Sequence, residues 1–141
     1  MRITFATAVL LTCWWAPALS QSKGPWDFAH EYKQGCSTGN MREMNECLSE
    51  AYEKVNLRMN EAYQRLLQSL KNPEPLQRAQ VAWLNFRETQ CDFEIPREWT
   101  GSEIPYSRNS CLIDHTERRV RDLERVVPCN GCVEFKPQFY R

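Results

Sequence analysis

Glycine is scarce in this chain, five residues in 141, and histidine scarcer still, with His30 and His115 alone. No glycine pattern forms a phosphate-binding loop, and neither histidine lies in a metalloprotease signature or beside a nucleophile elbow. A hydrolase built from nucleophile, base and orienting group therefore finds no support, nor does any cofactor. No charge predominates: Lys and Arg number 18, as do Asp and Glu. Without a basic face, nucleic acid is not the expected partner. Internal repeats and low-complexity runs are absent. With 42% hydrophobic residues the chain can build a core, and its length allows one domain.

The apolar run at the N-terminus, Ile3 to Trp15, is too short to span a bilayer. Arg2 precedes it, and Ala18 and Ser20 supply small residues at the −3 and −1 positions of a cleavage site. Residues 1–20 read as a secretory signal peptide, cut before Gln21. A minor alternative is a lipoprotein anchored at Cys13, weakened by Thr12 just before it. Cleavage removes Cys13 and Arg2, leaving six of seven Cys and a net charge of −1. An even number of Cys in an exported chain, Cys36, Cys47, Cys91, Cys111, Cys129 and Cys132, points to disulfides. Localisation is then periplasmic or secreted, with no integral membrane segment in the mature chain.

From Met41 to Lys71 there is neither Pro nor Gly. Met44, Leu48, Ala51, Val55, Ala62 and Leu66 form one stripe at helical spacing. Tyr52, Met59, Tyr63, Leu67 and Leu70 form a second, so this helix should meet two partners. Asn40 and Glu43 suggest a capping box, and Asn72-Pro73 ends the run. A second helix is expected at Leu76–Cys91, with Leu76, Ala79, Trp83, Phe86 and Gln90 as its stripe and Arg87 stacked on Trp83 with its head toward water. A third is expected at Cys111–Val127, with Leu112, Thr116, Val120, Leu123 and Val127 inward. The fold class is all-α: a small disulfide-stapled three-helix domain with a long antiparallel helical hairpin.

Flanking segments are of other kinds. Residues 21–35 read as a loosely held arm and 128–141 as a Cys-containing tail with an aromatic end, Phe135, Phe139 and Tyr140, able to fold back on the bundle when Cys129 or Cys132 is bonded. Asp92–Ser110 carries Pro96, Gly101 and Pro105 and reads as a long loop, of a length that is often functional. Arg97, Trp99, Ser102, Tyr106 and Arg108 are its aromatic anchors and hydrogen-bond donors. The spacing leaves pairing open, with Cys91 bonding Cys111, Cys36 or Cys47. Cys129-x-x-Cys132 follows a helix, unlike a thioredoxin motif, so a structural disulfide is preferred to a redox pair. A Cys3His zinc set from Cys111, His115, Cys129 and Cys132 has suitable residue types, but an oxidising compartment disfavours it and no metal is expected.

Glu43-Met44-Asn45-Glu46-Cys47-Leu48, Ala51-Tyr52, and Asn60 with Tyr63 and Leu66 resemble the N-terminal domain of the LprI-type lysozyme inhibitors. The second helix, Leu76-x-x-Ala79-Gln80-x-x-Trp83-x-x-Phe86-Arg87-x-x-x-Cys91, is the more specific match. Gly101-Ser102, Cys111, Thr116, Arg119 and Leu123 follow at the family's spacing. The resemblance covers residues 36–127. It implies an exported bacterial helical domain with disulfides, and a lysozyme-type cell-wall hydrolase as partner. One departure is Asn56, where the family usually has Asp. Lysozyme works with two carboxylates in a cleft, and a protruding segment bearing Arg and hydroxyl donors could occlude it. Replacing Arg97 and Arg108 together by Ala is then expected to weaken inhibition tenfold or more, on the order of 1.4 kcal/mol, and to leave the thermal midpoint nearly unchanged. The alternative function is an envelope structural or assembly protein.

Overall fold

The computed structural model describes residues 35–127 and 133–139. The signal peptide expected at 1–20, Cys13, the arm up to residue 34, and the Cys129–Cys132 pair lie outside the described residues. Three α-helices account for most of what is described: α1 (Met41–Ser69), α2 (Glu74–Glu94) and α3 (Ile104–Glu124). A single 3-10 turn, Pro137–Phe139, closes the tail.

Helix α1 begins as its sequence dictates. Asn40 Oδ1 accepts from the Glu43 N–H at 3.1 Å, and Glu43 Oε2 accepts from the Asn40 N–H at 3.0 Å. Each side chain satisfies an otherwise orphaned donor. Gly39 leads in with φ 104°, a left-handed conformation that a side chain resists. At the other end Leu70 is extended, and Pro73 enforces the turn into α2.

The two stripes of α1 are both used. Leu48, Ala51 and Val55 pack with Cys36 and Ile113 near the start of the helix. Met59, Ala62, Leu66 and Leu70 pack with Val120, Leu123 and Phe135 toward its end. Each such aliphatic side chain contributes roughly 1.5–3 kcal/mol when fully buried. The closest partner of α1 is α3, not its chain neighbour α2. Helix α2 meets the other two largely through long side chains.

That difference corrects the expected face of α2. Ala79 is exposed, Phe86 is half exposed, and Val81 and Leu84 also face outward. The inward positions are Leu76, Gln80, Trp83, Arg87 and Cys91, and Gln80, Arg87 and Cys91 are the fully buried ones. A hydropathy reading selects apolar residues, whereas here two long polar side chains span the gap to α1 and α3. Arg87 does stack on Trp83, but its head is buried rather than turned to water.

Two further boundaries move. Helix α2 continues to Glu94 and α3 starts at Ile104, so the connection is residues 95–103, not Asp92–Ser110. Pro105, part of the expected loop, occupies the first turn of α3, where the missing N–H costs nothing. Tyr106 and Arg108 therefore stand on a helix. Helix α3 ends at Glu124, leaving Val127 exposed, while Val126 packs against the core.

The tail does fold back. Leu70 and Phe135 form an antiparallel bridge, with Lys71 N–H donating to the Glu134 carbonyl at 3.0 Å and Lys136 N–H to the Ser69 carbonyl at 2.8 Å. Phe135 is buried in the core at the end of α1, and Phe139 remains exposed.

Candidate functional site

Among the described residues, two disulfides staple the bundle. Cys36 bonds Cys47, pinning the lead-in segment to α1, and Cys91 bonds Cys111 across a Cα separation of 5.9 Å. The second bond joins the last turns of α2 to the second turn of α3, so it closes the 95–103 connection into a short tip. Cys111 is thereby committed to Cys91, which removes it as a thiol from the Cys3His set considered above. Disulfides fit a chain exported from a reducing cytosol.

The tip gathers some of the expected site residues. Trp99 is 56% exposed and Phe93, the last residue but one of α2, is 80% exposed. Arg97 lies between them in sequence, with its head on Asp92 at 2.6 Å and most of its side chain in water. Ser102 is exposed, and its carbonyl accepts from Asn45 Nδ2 at 2.8 Å, tying the tip to the second turn of α1. Tyr106 is half buried against the cluster around Leu48 and Ile113. It is part of the domain wall rather than a projecting donor.

Arg108 has a different role from the one expected of a free donor. Its guanidinium bridges Glu88, at 3.1 Å, and Asp92. These contacts lock the first turns of α3 to the end of α2. Asp92 thus receives two arginines, and the Arg97 hydrogen bond is the larger cause holding its carboxyl below the usual carboxylate range. The residue that sequence reasoning missed is Phe93. It is the most exposed aromatic at the tip, and it was legible only as one of several aromatics in the segment.

Behind the tip runs a buried polar seam. Arg87 is 5% exposed and lies between the Trp83 and Tyr52 rings, its guanidinium carbon 5.1 and 5.6 Å from their centroids. It donates to Asn56 Oδ1 and Thr116 Oγ1, both at 3.2 Å, and to Glu88 at 3.0 Å. Arg119 stacks on Trp83 and donates to Gln80 Oε1 at 3.0 Å. Glu117 is buried beside Arg58 at 3.7 Å, and burial raises its pKa. The seam holds α2 in register without an apolar face.

These are the positions on which the sequence pattern of the second helix rests: Gln80, Trp83, Arg87 and Cys91. The model of the family described as lysozyme inhibitor LprI matches residues 34–123. The chain belongs to the LprI family. The match takes in all three helices, both disulfides and the tip, and ends before the returning tail. An uncharacterized protein of Rhizobium meliloti strain 1021 is 23% identical over 90% of this chain and 96% of its own length. The uncharacterized protein YecT of Escherichia coli K12 is 30% identical over 55% of this chain and 59% of its own. No solved structure matches. Asn56 accepts from Arg87, so a neutral amide stands where an Asp would make an ion pair.

Proposed function

We propose that this LprI protein is exported to the periplasm or beyond by the signal peptide at 1–20 and inhibits a lysozyme-type cell-wall hydrolase. The inhibitory surface is the tip: Phe93 at the end of α2, the 95–103 connection with Arg97, Trp99 and Ser102, and the Arg108 end of α3. The observation that carries this reading is two exposed aromatics with an arginine between them, held on a covalently closed connection. Aromatic and Arg side chains dominate the centres of interfaces. A closed, hydrogen-bonded tip has less freedom to lose on docking. In the cleft, Arg97 would exchange Asp92 for an enzyme carboxylate. Arg108 and Tyr106 would support the tip from behind.

A turbidity assay on several lysozyme types with the mature protein tests the activity. Phe93→Ala with Trp99→Ala tests the surface. Inhibition should weaken at least tenfold, on the order of 1.4 kcal/mol, with an unchanged thermal midpoint because both rings are exposed. Undiminished inhibition moves the surface elsewhere. No inhibition by the unaltered protein favours a structural or assembly role in the envelope, for which the outward Val81, Leu84 and Phe86 of α2 offer a contact face.

A further inference from the structure

The Cys91–Cys111 staple has a third group beside it. His115 stands four residues after Cys111, on the same face of α3. The two sulfurs and a ring nitrogen of His115 lie within 4.8 Å of one another. Glu94 Oε2 lies 3.6 Å from Cys111 Sγ, on the side of α2. Phe86 meets the His115 ring edge-on, 5.5 Å between centroids at 83°, which limits the ring's rotation. Two sulfurs and one imidazole thus converge from two helices, with the Glu94 carboxylate beside one of the sulfurs.

We propose that the dithiol form of this staple is a zinc site, with Cys91, Cys111 and His115 as ligands and the Glu94 carboxylate or a water as the fourth. Zinc takes Cys sulfur at about 2.3 Å and His nitrogen at about 2.0–2.1 Å in a tetrahedron, whose edges are then about 3.5–3.8 Å. Ligand atoms within 4.8 Å of one another stand about an ångström from those edges. Two soft sulfurs with an imidazole suit Zn²⁺ rather than Mg²⁺ or Ca²⁺. The oxidised form cannot serve, because both sulfurs are spent in the S–S bond.

The switch balances as follows. An external dithiol reduces the bond: two electrons and two protons pass to Cys91 and Cys111, and the dithiol becomes a cyclic disulfide. Zn²⁺ then binds both sulfurs as thiolates and releases two protons. The metal takes over the clasp between α2 and α3, so the tip stays closed in both redox states. This inference stands whether or not the protein inhibits a lysozyme.

The test uses the mature chain, reduced by a dithiol and desalted without oxygen. Co²⁺ should give the ligand-field bands of a tetrahedral site with a thiolate charge-transfer band, and Zn²⁺ should erase them. Zn²⁺ should also raise the thermal midpoint of the reduced protein and leave the oxidised protein unchanged. His115→Ala should weaken Zn²⁺ binding at least tenfold. Cys129→Ser with Cys132→Ser should leave it unchanged, a check that stands even where Cys91→Ser with Cys111→Ser fails to fold. Unaltered affinity in His115→Ala, or loss of the cobalt bands in Cys129→Ser with Cys132→Ser, would overturn the assignment.

Discussion

Arg87 is the side chain on which the position of α2 most depends, and its removal has a calculable effect. It is buried, stacked between two rings, and donates to three acceptors on all three helices. Cation–π contacts contribute about 0.5–2 kcal/mol each, the larger values when desolvated. Hydrogen bonds from a charged group contribute about 1.5–3 kcal/mol, and these contributions do not simply add. Truncation of a buried ionic partner costs roughly 3–5 kcal/mol, so about 4 kcal/mol is the expectation for Arg87→Ala. For a domain of this size that lowers the midpoint by roughly 10–20 °C. Arg87→Lys should recover part of the loss, since an ammonium keeps the charge but neither the planar stack nor the fork. Arg87→Met, which keeps an unbranched stem without the charge, should fall between Ala and the unaltered protein. Thermal unfolding followed by circular dichroism at neutral pH decides the matter. A shift below about 3 °C for Arg87→Ala would refute the reasoning, because a guanidinium so placed would then contribute no more than the water replacing it.

Other perturbations follow from the same contacts. Arg108→Ala removes the bridges to Glu88 and Asp92; allowing for solvent screening it should cost about 1 kcal/mol and lower the midpoint by a few degrees, so the Arg97 and Arg108 pair is not removable without loss of stability. Asp92 has a depressed folded pKa, so its contribution is present above the ordinary carboxylate value and lost as pH falls through the folded one. Acid unfolding of Asp92→Asn should therefore be shallower below about pH 4. Glu117 has the opposite sign: desolvation raises its folded pKa, and stability is lost as pH rises through that value. Glu117→Gln should raise the midpoint at pH 7 and leave it unaltered at pH 3, as paired melts would show. At Gly39 an added Cβ would be 2.4 Å from Glu43 Oε2 in a left-handed conformation. Gly39→Ala should thus disrupt the cap and cost about 1 kcal/mol, read as lost helicity and a lower urea midpoint.

The parts of the fold legible in the sequence were those governed by local rules. Helix α1 was readable from a Pro-free, Gly-free run with a cap at its start. The inward face of α3, Leu112, Thr116, Val120 and Leu123, followed from spacing. Helix α2 was not so readable, because its buried face carries Gln80 and Arg87, and burying Arg87 is favourable only because the Tyr52 and Trp83 rings flank it and Asn56, Thr116 and Glu88 accept from it. The tip was overestimated in length because Pro105 starts a helix as readily as Pro73 ends a connection. Among the candidate site residues, Arg97, Trp99 and Ser102 lie on an exposed tip as the aromatic and polar pattern suggested. Arg108 and Tyr106 were assigned by residue type alone, and residue type does not reveal that Glu88 and Asp92 lie within reach of one and Leu48 and Ile113 of the other.

The pairing of α1 with α3 bears on how the chain comes to be folded. Contacts such as Asn45 with Ser102 and Arg65 with Glu124 join residues 57 and 59 apart along the chain. A sequential helical hairpin closes over a few residues, whereas here the principal interface must close over the whole of α2 and its two connections, at an entropic cost that grows with loop length. Folding should be slow for an all-helical domain of this size. Any process that delivers the N-terminus first, ribosomal synthesis or threading through a membrane pore, presents both apolar stripes of α1 before Val120 and Leu123 arrive to cover them. During that interval α1 lacks its chief partner, and the bundle cannot close until α3 has emerged.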